Sequence, residues 1–533
     1  MKKTVYILLI ILSAAAYSCS DSLELVPVGL LTDSNFPATD GDGIALVNAI
    51  YQPNVGISTS LGYLIDLTTE VEANGENTNS GGYLLGVMQW EPNNSYVSGM
   101  WTSLYNGITR ANDVVDKVGA SESISPDVKK RLVGEARFLR AYYYFYAVQF
   151  WGEVPLVLHN IDGSNTTRAA VDDVYGQIVQ DLKDAAEALP RASEYAGADR
   201  GRATQGAAYA YLSKVYLVWG QTSEKSGAAV QKERYRASVD YASLVTGYEL
   251  EENFLDNWSK SNRNGRESIF ATQHIQGQSS ASDGGNHLVH CSFYGGFSNN
   301  ILPHVYATSD KWYHDFDDRD QRKNGTYVKE LYNPSTGEVF VFDRVRYRKY
   351  IDTTDVISSA NTRDINRTIL RYAEALLLKA EALNELNGAP NAEAYEAINQ
   401  VRRRAFRQFP VTAPASEPGV DLPEGLDYAG FKQRIQQERV FELTYEQNRW
   451  TDLVRWRTFV GTLRNAVKQG YLGEEYHKQD VKLKYYRFPI PRAQREINPE
   501  GLWQNWGYDG FDESRTGANP YAAFEPEYAG EGF

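Results

Sequence analysis

Cysteine is scarce in this chain, and the motifs of common enzyme classes are missing from it. Among 533 residues there are two cysteines, Cys19 and Cys291, so a disulfide scaffold is excluded. The seven histidines are scattered, with no HExxH and no CxxC spacing. There is also no P-loop, no GxGxxG after a strand and no GxSxG elbow. These absences remove the usual signatures of metalloproteases, nucleotide-binding enzymes and serine hydrolases.

Positive charge is also in short supply. The formal net charge is −14, and nucleic-acid binding would need a basic stripe that the sequence does not show. A local basic patch such as that at 402–404 is interpreted as a solvated helix face or as part of an ion-pair network. An acidic chain suits neutral or weakly charged ligands outside the cell.

Long apolar runs are absent after the first residues. Lys2 and Lys3 precede the apolar run 5–16, which is too short to span a bilayer comfortably. Small residues then lead to Cys19, followed by the polar, acidic stretch 20–24. This order predicts a signal peptide over 1–18 and a lipidated Cys19, which would anchor the protein without spanning the membrane. An ordinary secretory signal with an incidental cysteine is the alternative.

Aromatic residues, by contrast, are abundant, at 13% of the chain. They are densest in residues 134–156, GEARFLRAYYYFYAVQFWGEVPL, where Phe138, Phe145 and their neighbours recur at helical spacing. Tyrosines and phenylalanines fill the other faces too, so the segment is predicted to be a helix buried on all sides. Gly152 and Pro155 are expected to end it.

Five segments, in order along the chain, resemble motifs of the SusD/RagB family of outer-membrane nutrient-binding lipoproteins. They are 134–156, 201–217 (GRATQGAAYAYLSKVYL), 369–381 (ILRYAEALLLKAE), 438–456 (ERVFELTYEQNRWTDLVRW) and 488–508 (FPIPRAQREINPEGLWQNWGY). Gln447 and Trp506 depart from the family pattern, where Gly and Pro are frequent. Both departures lie in scaffold motifs.

The resemblance implies a mainly α fold. This is a tetratricopeptide-like superhelix of helical hairpins, with an irregular loop-rich subdomain that contains short strands. The expected divisions are a lipidated tether at 19–40, an N-terminal helical region at 41–250 with a ligand loop at 52–98, a loop-rich insert at 251–364, and a C-terminal helical region at 365–533. Helical spacing predicts that 174–189 pairs with 203–219, and that a helix over 365–386 pairs with 392–406. Motif residues such as Arg371, Glu381 and Arg455 are interpreted as interhelix ion pairs.

Sugar binding needs aromatic planes for the apolar faces of the rings and polar side chains for the hydroxyls. Two loop segments have this mixture, 83–96 and 290–300. The predicted glycan-binding residues are Trp90, Asn93, Tyr96, Asp66, Phe293, Tyr294 and Phe297. Trp90 is the foremost candidate, because in the family the loop before the following helix often supplies a stacking aromatic.

No cofactor is expected. His287 and His290 are three residues apart, but they lie in a glycine-rich stretch that does not favour the helix a shared metal would need. Asp315, Asp317, Asp318 and Asp320 leave a structural calcium ion as an alternative. This acidic run lacks the glycine and terminal glutamate of an EF-hand loop.

The resulting hypothesis is a cell-surface lipoprotein of the outer membrane that binds an oligosaccharide or polysaccharide without cutting it. The family resemblance implies delivery to a TonB-dependent transporter of the SusC type. One alternative is a lid or assembly subunit of that transporter with little affinity for glycan. A surface glycoside hydrolase is another, although 68 acidic residues make candidate carboxylate pairs uninformative. The sequence does not identify the sugar.

Overall fold

The computed structural model describes residues 36–74, 80–160, 166–223, 226–274, 305–332, 337, 339–350 and 365–531. Within these ranges the α-helices are α1 (Asp40–Tyr51), α2 (Pro53–Leu61), α3 (Gly81–Gly86), α4 (Ser95–Asp113), α5 (Pro126–Trp151), α6 (Val171–Ala188), α7 (Gln205–Thr222), α8 (Ala228–Ser243), α9 (Lys311–His314), α10 (Arg322–Thr326), α11 (Tyr372–Asn387), α12 (Ala392–Ala405), α13 (Tyr428–Leu443), α14 (Arg449–Trp456), α15 (Phe459–Lys468), α16 (Arg492–Ile497) and α17 (Glu513–Thr516).

The strands form four short antiparallel pairs. They are β1 (Glu72–Asn74) with β5 (Val305–Ala307), β2 (Val154–Pro155) with β3 (Arg168–Ala169), β4 (Ser268–Thr272) with β8 (Arg367–Arg371), and β6 (Tyr327–Tyr332) with β7 (Val339–Tyr347). Because each sheet has only two strands, the packing of helices supplies most of the core.

The central helix α5 behaves as its sequence predicts. Pro126 occupies the first turn, where the missing N–H costs nothing. The helix ends at Gly152, whose φ of 72° is accessible to glycine at little cost. Every residue from Glu135 to Trp151 except Arg137 is buried. The prediction of a helix buried on all sides is therefore confirmed.

Successive helices pack on one another along the chain. Helix α4 packs on α5, α5 on α6, α6 on α7 and α7 on α8, and α8 in turn contacts α11, which also packs on α12 and α13. Each helix thus buries its apolar stripe against the next one along the chain. The prediction of a mainly helical, hairpin-stacked fold with short strands is confirmed, including both expected hairpin pairs.

Two local expectations are wrong. Residues 52–98 contain helices α2 and α3 and a single π turn at Gly62–Asp66, rather than irregular structure throughout. The helix expected from residue 365 begins only at Tyr372, because 367–371 form strand β8 against β4. The partner strand lies about a hundred residues earlier, so the local pattern could not show it.

A buried ion-pair network joins the C-terminal helices to the insert. The carboxylate of Glu442 on α13 contacts three guanidinium groups, those of Arg322 (3.0 Å), Arg371 (2.5 Å) and Arg404. All four side chains are at most 1% exposed. A second pair joins Arg455 of α14 to Glu381 of α11 at 2.5 Å. The interpretation as interhelix ion pairs is confirmed for Glu381 and Arg455. Arg371 is also buried in an ion pair, but it extends from strand β8 and not from a helix, and Arg404 belongs to the network rather than to a solvated face.

In the part of the chain that the structure describes, we find no helix with the length and apolar character needed to cross a membrane.

Candidate ligand-binding cleft

The side chain of Trp312 stands at the mouth of a cleft between α9, α13, α14 and α15, which we call the Trp312 cleft. Its volume is about 370 Å³, within the usual range for small-molecule sites. Aromatic, amide, hydroxyl and carboxylate side chains all contribute to its lining, among them Trp312, Tyr471, Phe441, Gln433, Gln436, Gln437, Asn465, Gln469, Thr458, Thr462, Glu70 and Asp315.

Two aromatic rings form one wall of the cleft. The rings of Trp312 and Tyr471 have their centroids 4.5 Å apart and their planes at 44°, and both side chains are partly exposed. The Trp312 Nε1–H donates to Thr308 Oγ1 at 3.1 Å, which fixes the orientation of the indole. The Lys311 ammonium lies 4.4 Å from the Tyr471 centroid and donates to the Gln469 carbonyl, which holds the second ring. The wall is therefore preformed.

A buried carboxylate lies at the base of the cleft. Glu70 is 1% exposed, and its Oε1 accepts hydrogen bonds from Arg449 Nε (2.9 Å) and Nη2 (2.5 Å). Its other oxygen, Oε2, is buried and accepts no hydrogen bond from a described residue. This atom has almost no exposed surface, so Glu70 and Arg449 form a buried ion pair behind the aromatic wall and do not offer a free acceptor to a ligand.

The rim of the cleft carries a second carboxylate. The Tyr471 hydroxyl donates to Asp315 Oδ2. Burial, together with this negative charge, raises the pKa of Tyr471 to about 12, so the phenol stays protonated at neutral pH. The exposed amides of Gln433 and Gln437 lie on the α13 side. A sugar ring requires flat aromatic rings for its apolar faces and polar side chains around them for its hydroxyls, and the cleft provides both.

Trp90, the foremost predicted contact, is not available to a ligand. It is 2% exposed, and its ring packs against Phe488 with centroids 4.2 Å apart and against Tyr485 at 4.6 Å. Its Nε1–H donates to the Leu85 carbonyl at 3.0 Å. The prediction that this indole stacks on a sugar is wrong, because C-terminal aromatic residues cover both its faces.

Asp66 is also enclosed. It is fully buried in the π turn after α2, and its Oδ2 accepts the Gln447 backbone N–H at 3.0 Å. Burial raises its pKa to about 7. A side chain without exposed surface does not reach a ligand hydroxyl, so this prediction is wrong as well. Glu70, one turn further along, is the acidic residue of this stretch that reaches the cleft.

Asn93 and Tyr96 flank the start of α4. Asn93 is exposed, whereas the half-buried Tyr96 stacks on Tyr63 with ring centroids 3.9 Å apart. The intervening Asn94 caps the helix, accepting hydrogen bonds from the N–H groups of Tyr96 and Val97. Neither Asn93 nor Tyr96 lines the Trp312 cleft, and their contact with glycan stays a prediction.

The remaining predicted residues lie outside the described ranges. These are Phe293, Tyr294 and Phe297, the lipidation residue Cys19, and the His287, His290 and Cys291 group.

The acidic run considered for calcium is engaged otherwise. The carboxylate of Asp317 pairs with Arg319 (2.7 Å), Asp318 with Lys323 (2.6 Å) and Asp320 with Arg322 (2.7 Å). Among the described residues no group of three or more His, Cys, Asp or Glu side chains is arranged to hold a metal ion.

The sequence reasoning missed Trp312 and Tyr471. A signal was present in the run KWYHDF at 311–316, which sets aromatic rings beside acids. Nothing local, however, indicates that Tyr471, about 160 residues later, completes the wall.

Comparisons with known proteins agree with this architecture. A family model described as "Starch-binding associating with outer membrane" matches residues 45–217, and the SusD/RagB model, described as "SusD family", matches 304–508. The chain belongs to the SusD/RagB family.

Particular relatives cover almost the whole chain. SusD-like protein P25 of Formosa agariphila is 27% identical over 93% of this chain and 96% of its own length. A SusD homolog from Bacteroides thetaiotaomicron has the same fold, with a TM-score of 0.77 at 23% identity over 88% of this chain and 97% of that one. Surface glycan-binding protein A from Bacteroides fluxus aligns with a TM-score of 0.72 at 22% identity, over 89% of this chain and 100% of that one.

Proposed function

We propose that this protein binds an oligosaccharide or polysaccharide, with the Trp312 cleft as the contact site. The observation that carries the proposal is the partly exposed Trp312–Tyr471 pair, which lines the same cleft as the exposed amides of Gln433 and Gln437. The similarity to a surface glycan-binding protein of Bacteroides fluxus adds support. Asn93 and Tyr96 are proposed as further contacts outside the cleft.

The bound glycan is passed on rather than cut. Of the two acids that line the cleft, Glu70 is neutralised by Arg449 and Asp315 is engaged by Tyr471. A glycoside hydrolase instead needs a proton donor and a free carboxylate facing each other across the scissile bond. We therefore assign the protein a binding role, and incubation with glycans should release no new reducing ends.

The proposal extends to the cell surface. Lipidation of Cys19 would anchor the protein to the outer membrane, and a SusC-like TonB-dependent transporter would receive the glycan. The description of the N-terminal family model, which refers to the outer membrane, supports this location.

Isothermal titration of the purified protein against a panel of neutral polysaccharides tests the binding site. Trp312→Ala should weaken the binding of the recognised glycan at least ~10-fold, or about 1.4 kcal/mol, because it removes one stacking plane. Tyr332→Ala is the matched control, since Tyr332 is 57% exposed on β6 and does not line the cleft. Its affinity should equal that of the wild type.

Two results would count against the proposal. Unchanged affinity of Trp312→Ala would remove the cleft as the site. A wild type that binds none of the panel, yet co-purifies with its transporter, would favour the lid-subunit alternative.

A further inference from the structure

A second cleft, which we call the Arg487 cleft, lies between the end of α5, β3, the start of α6 and the C-terminal segment. Its volume is about 300 Å³, and it shares no lining residue with the Trp312 cleft. Three arginines, Arg168, Arg487 and Arg515, contribute to its walls, together with Trp503 and other aromatic residues.

Arg168 is buried without a carboxylate partner. Its guanidinium donates to the carbonyl oxygens of Glu153 (2.7 Å), Trp503 (2.7 Å) and Trp151 (3.0 Å), and to Asn505 Oδ1 (2.7 Å). These neutral acceptors satisfy its N–H groups, and the negative charge of Glu153 offsets part of its positive charge without forming an ion pair. Burial lowers its pKa to about 10, so the group still carries a positive charge at neutral pH.

Arg487 brings a second cation to the same space. Its side chain is partly exposed and donates to the Tyr486 carbonyl at 2.9 Å. Among the described carboxylates, none lies within ion-pairing distance of Arg487 or Arg168. The charge of Arg487 also contributes to the lowered pKa of Arg168, so the two guanidinium groups repel each other.

Arg515 and Trp503 form the outer wall. The Trp503 ring is in contact with two guanidinium groups, and its centroid is 4.9 Å from Arg168 and 5.1 Å from Arg515. The ion pairs of Arg515 with Asp512 (3.6 Å) and Glu500 (3.7 Å) are long and exposed, and one hydrogen bond, from Nη1 to the Glu500 carbonyl (2.9 Å), holds the group on this wall.

Two carboxylates also line the cleft, and neither neutralises this cluster. Asp172 Oδ1 accepts hydrogen bonds from Trp219 Nε1 (2.6 Å) and Ser223 Oγ (3.1 Å), which hold it toward the α7 side. Glu153 forms no ion pair with a described cation. Glu153 offsets part of the charge of Arg168, and Asp172 pairs with Arg234 at 3.6 Å. Arg487 is therefore the lining arginine whose charge is least balanced by the described carboxylates.

We propose that the Arg487 cleft binds a small anionic group, a carboxylate or a sulfate, either as a free anion or as part of an acidic sugar residue. An anion bound at Arg487 would relieve the repulsion between Arg487 and Arg168, and a guanidinium fork matches the geometry of a carboxylate and of a sulfate. Trp503 and Tyr521 would supply the apolar surface for a ring that carries the anion. The site is independent of glycan binding at the Trp312 cleft.

Titration calorimetry of the purified protein at pH 7 and constant ionic strength tests this site with three probes: sodium sulfate, glucuronate and glucose. Wild type should bind glucuronate, and glucose should give no saturable heat. Arg487→Gln should weaken glucuronate binding at least ~10-fold, the loss of about one charge-assisted contact. Arg492→Gln is the matched control, because Arg492 is an exposed arginine of α16 outside the cleft.

The pattern across the probes identifies the source of the anion. Sulfate binding as tight as glucuronate binding would indicate a free-anion site, whereas tighter glucuronate binding would indicate an acidic sugar. Absence of saturable binding of both anions would overturn the proposal, as would equal affinity of Arg487→Gln and wild type. Arg515→Gln, on the exposed wall, provides a second variant if Arg487→Gln lowers the unfolding temperature.

Discussion

The indole of Trp90 lies face to face with the ring of Phe488, with their planes 6° from parallel and their centroids 4.2 Å apart. The Phe488 N–H in turn donates to the Phe150 carbonyl at 2.8 Å, near the end of α5. A residue of the loop before α4 is therefore fixed by the C-terminal motif. In this position Trp90 stabilises the fold rather than contacting a ligand.

Trp90→Ala is expected to destabilise the protein by about 3–5 kcal/mol, because it leaves a cavity between Phe488 and Tyr485. Urea unfolding followed by circular dichroism measures the change. Trp90→Phe should recover part of the loss, since it keeps a stacked ring. An Ala variant as stable as the wild type that has lost glycan affinity would show that Trp90 reaches the ligand after all.

Glu442→Gln should cost about 3–5 kcal/mol, because Arg322, Arg371 and Arg404 would lose the carboxylate that they share in a buried site. Glu417→Gln is the control, since Glu417 forms an exposed pair with Arg319 and should change stability by less than about 1 kcal/mol. The free energy of unfolding in urea at pH 7 compares the two variants. Equal small losses would mean that the buried network contributes little.

The pKa of Glu381 predicts how the free energy of unfolding changes in acid. The Arg455 guanidinium holds the pKa of Glu381 at about 2, below its ordinary value. Between pH 5 and pH 2 the unfolded chain therefore takes up a proton that the folded chain does not, and stability falls as the pH falls. Glu381→Gln should be less stable than the wild type at pH 7 and should lose less stability over this interval. A parallel fall in both proteins would contradict the assignment.

Asp66 should make the stability of the fold depend on pH in the direction opposite to that of Glu381. Because burial raises its pKa to about 7, the folded chain binds a proton between pH 4 and pH 7 that the unfolded chain has released. This contribution to stability is lost as the pH rises through 7. Asp66→Asn should therefore gain stability relative to the wild type between pH 5 and pH 8, as measured by urea unfolding at both values. Asp318→Asn, at a side chain that is 91% exposed, should show no such change.

The sequence was sufficient for those features whose cause is local. The helical repeat and the flanking Pro126 and Gly152 determine α5 without reference to the rest of the chain. Motif charges such as Glu381 and Arg455 could be assigned to ion pairs because they belong to family motifs and recur there at helical spacings.

The candidate site could not be predicted in the same way, because exposure depends on distant partners. Trp90 and Trp312 look alike locally, yet Phe488 covers the first, while the second opens into a cleft completed by Tyr471. The composition of a loop therefore indicates the chemistry of a ligand, but not which ring is left uncovered. The strand at 367–371 escaped prediction for the same reason, since its partner β4 is far away in the chain.

The end of the aromatic helix α5 is covered by residues that are synthesised long after the helix itself. Trp151 Nε1 donates to the Pro489 carbonyl, a contact across 338 residues of chain. Synthesis runs from the N-terminus, so most of the polypeptide is complete before the apolar helix α5 gains its last packing contacts. A chain that has not yet reached Pro489 therefore exposes this apolar segment, which favours aggregation until the C-terminal segment is made.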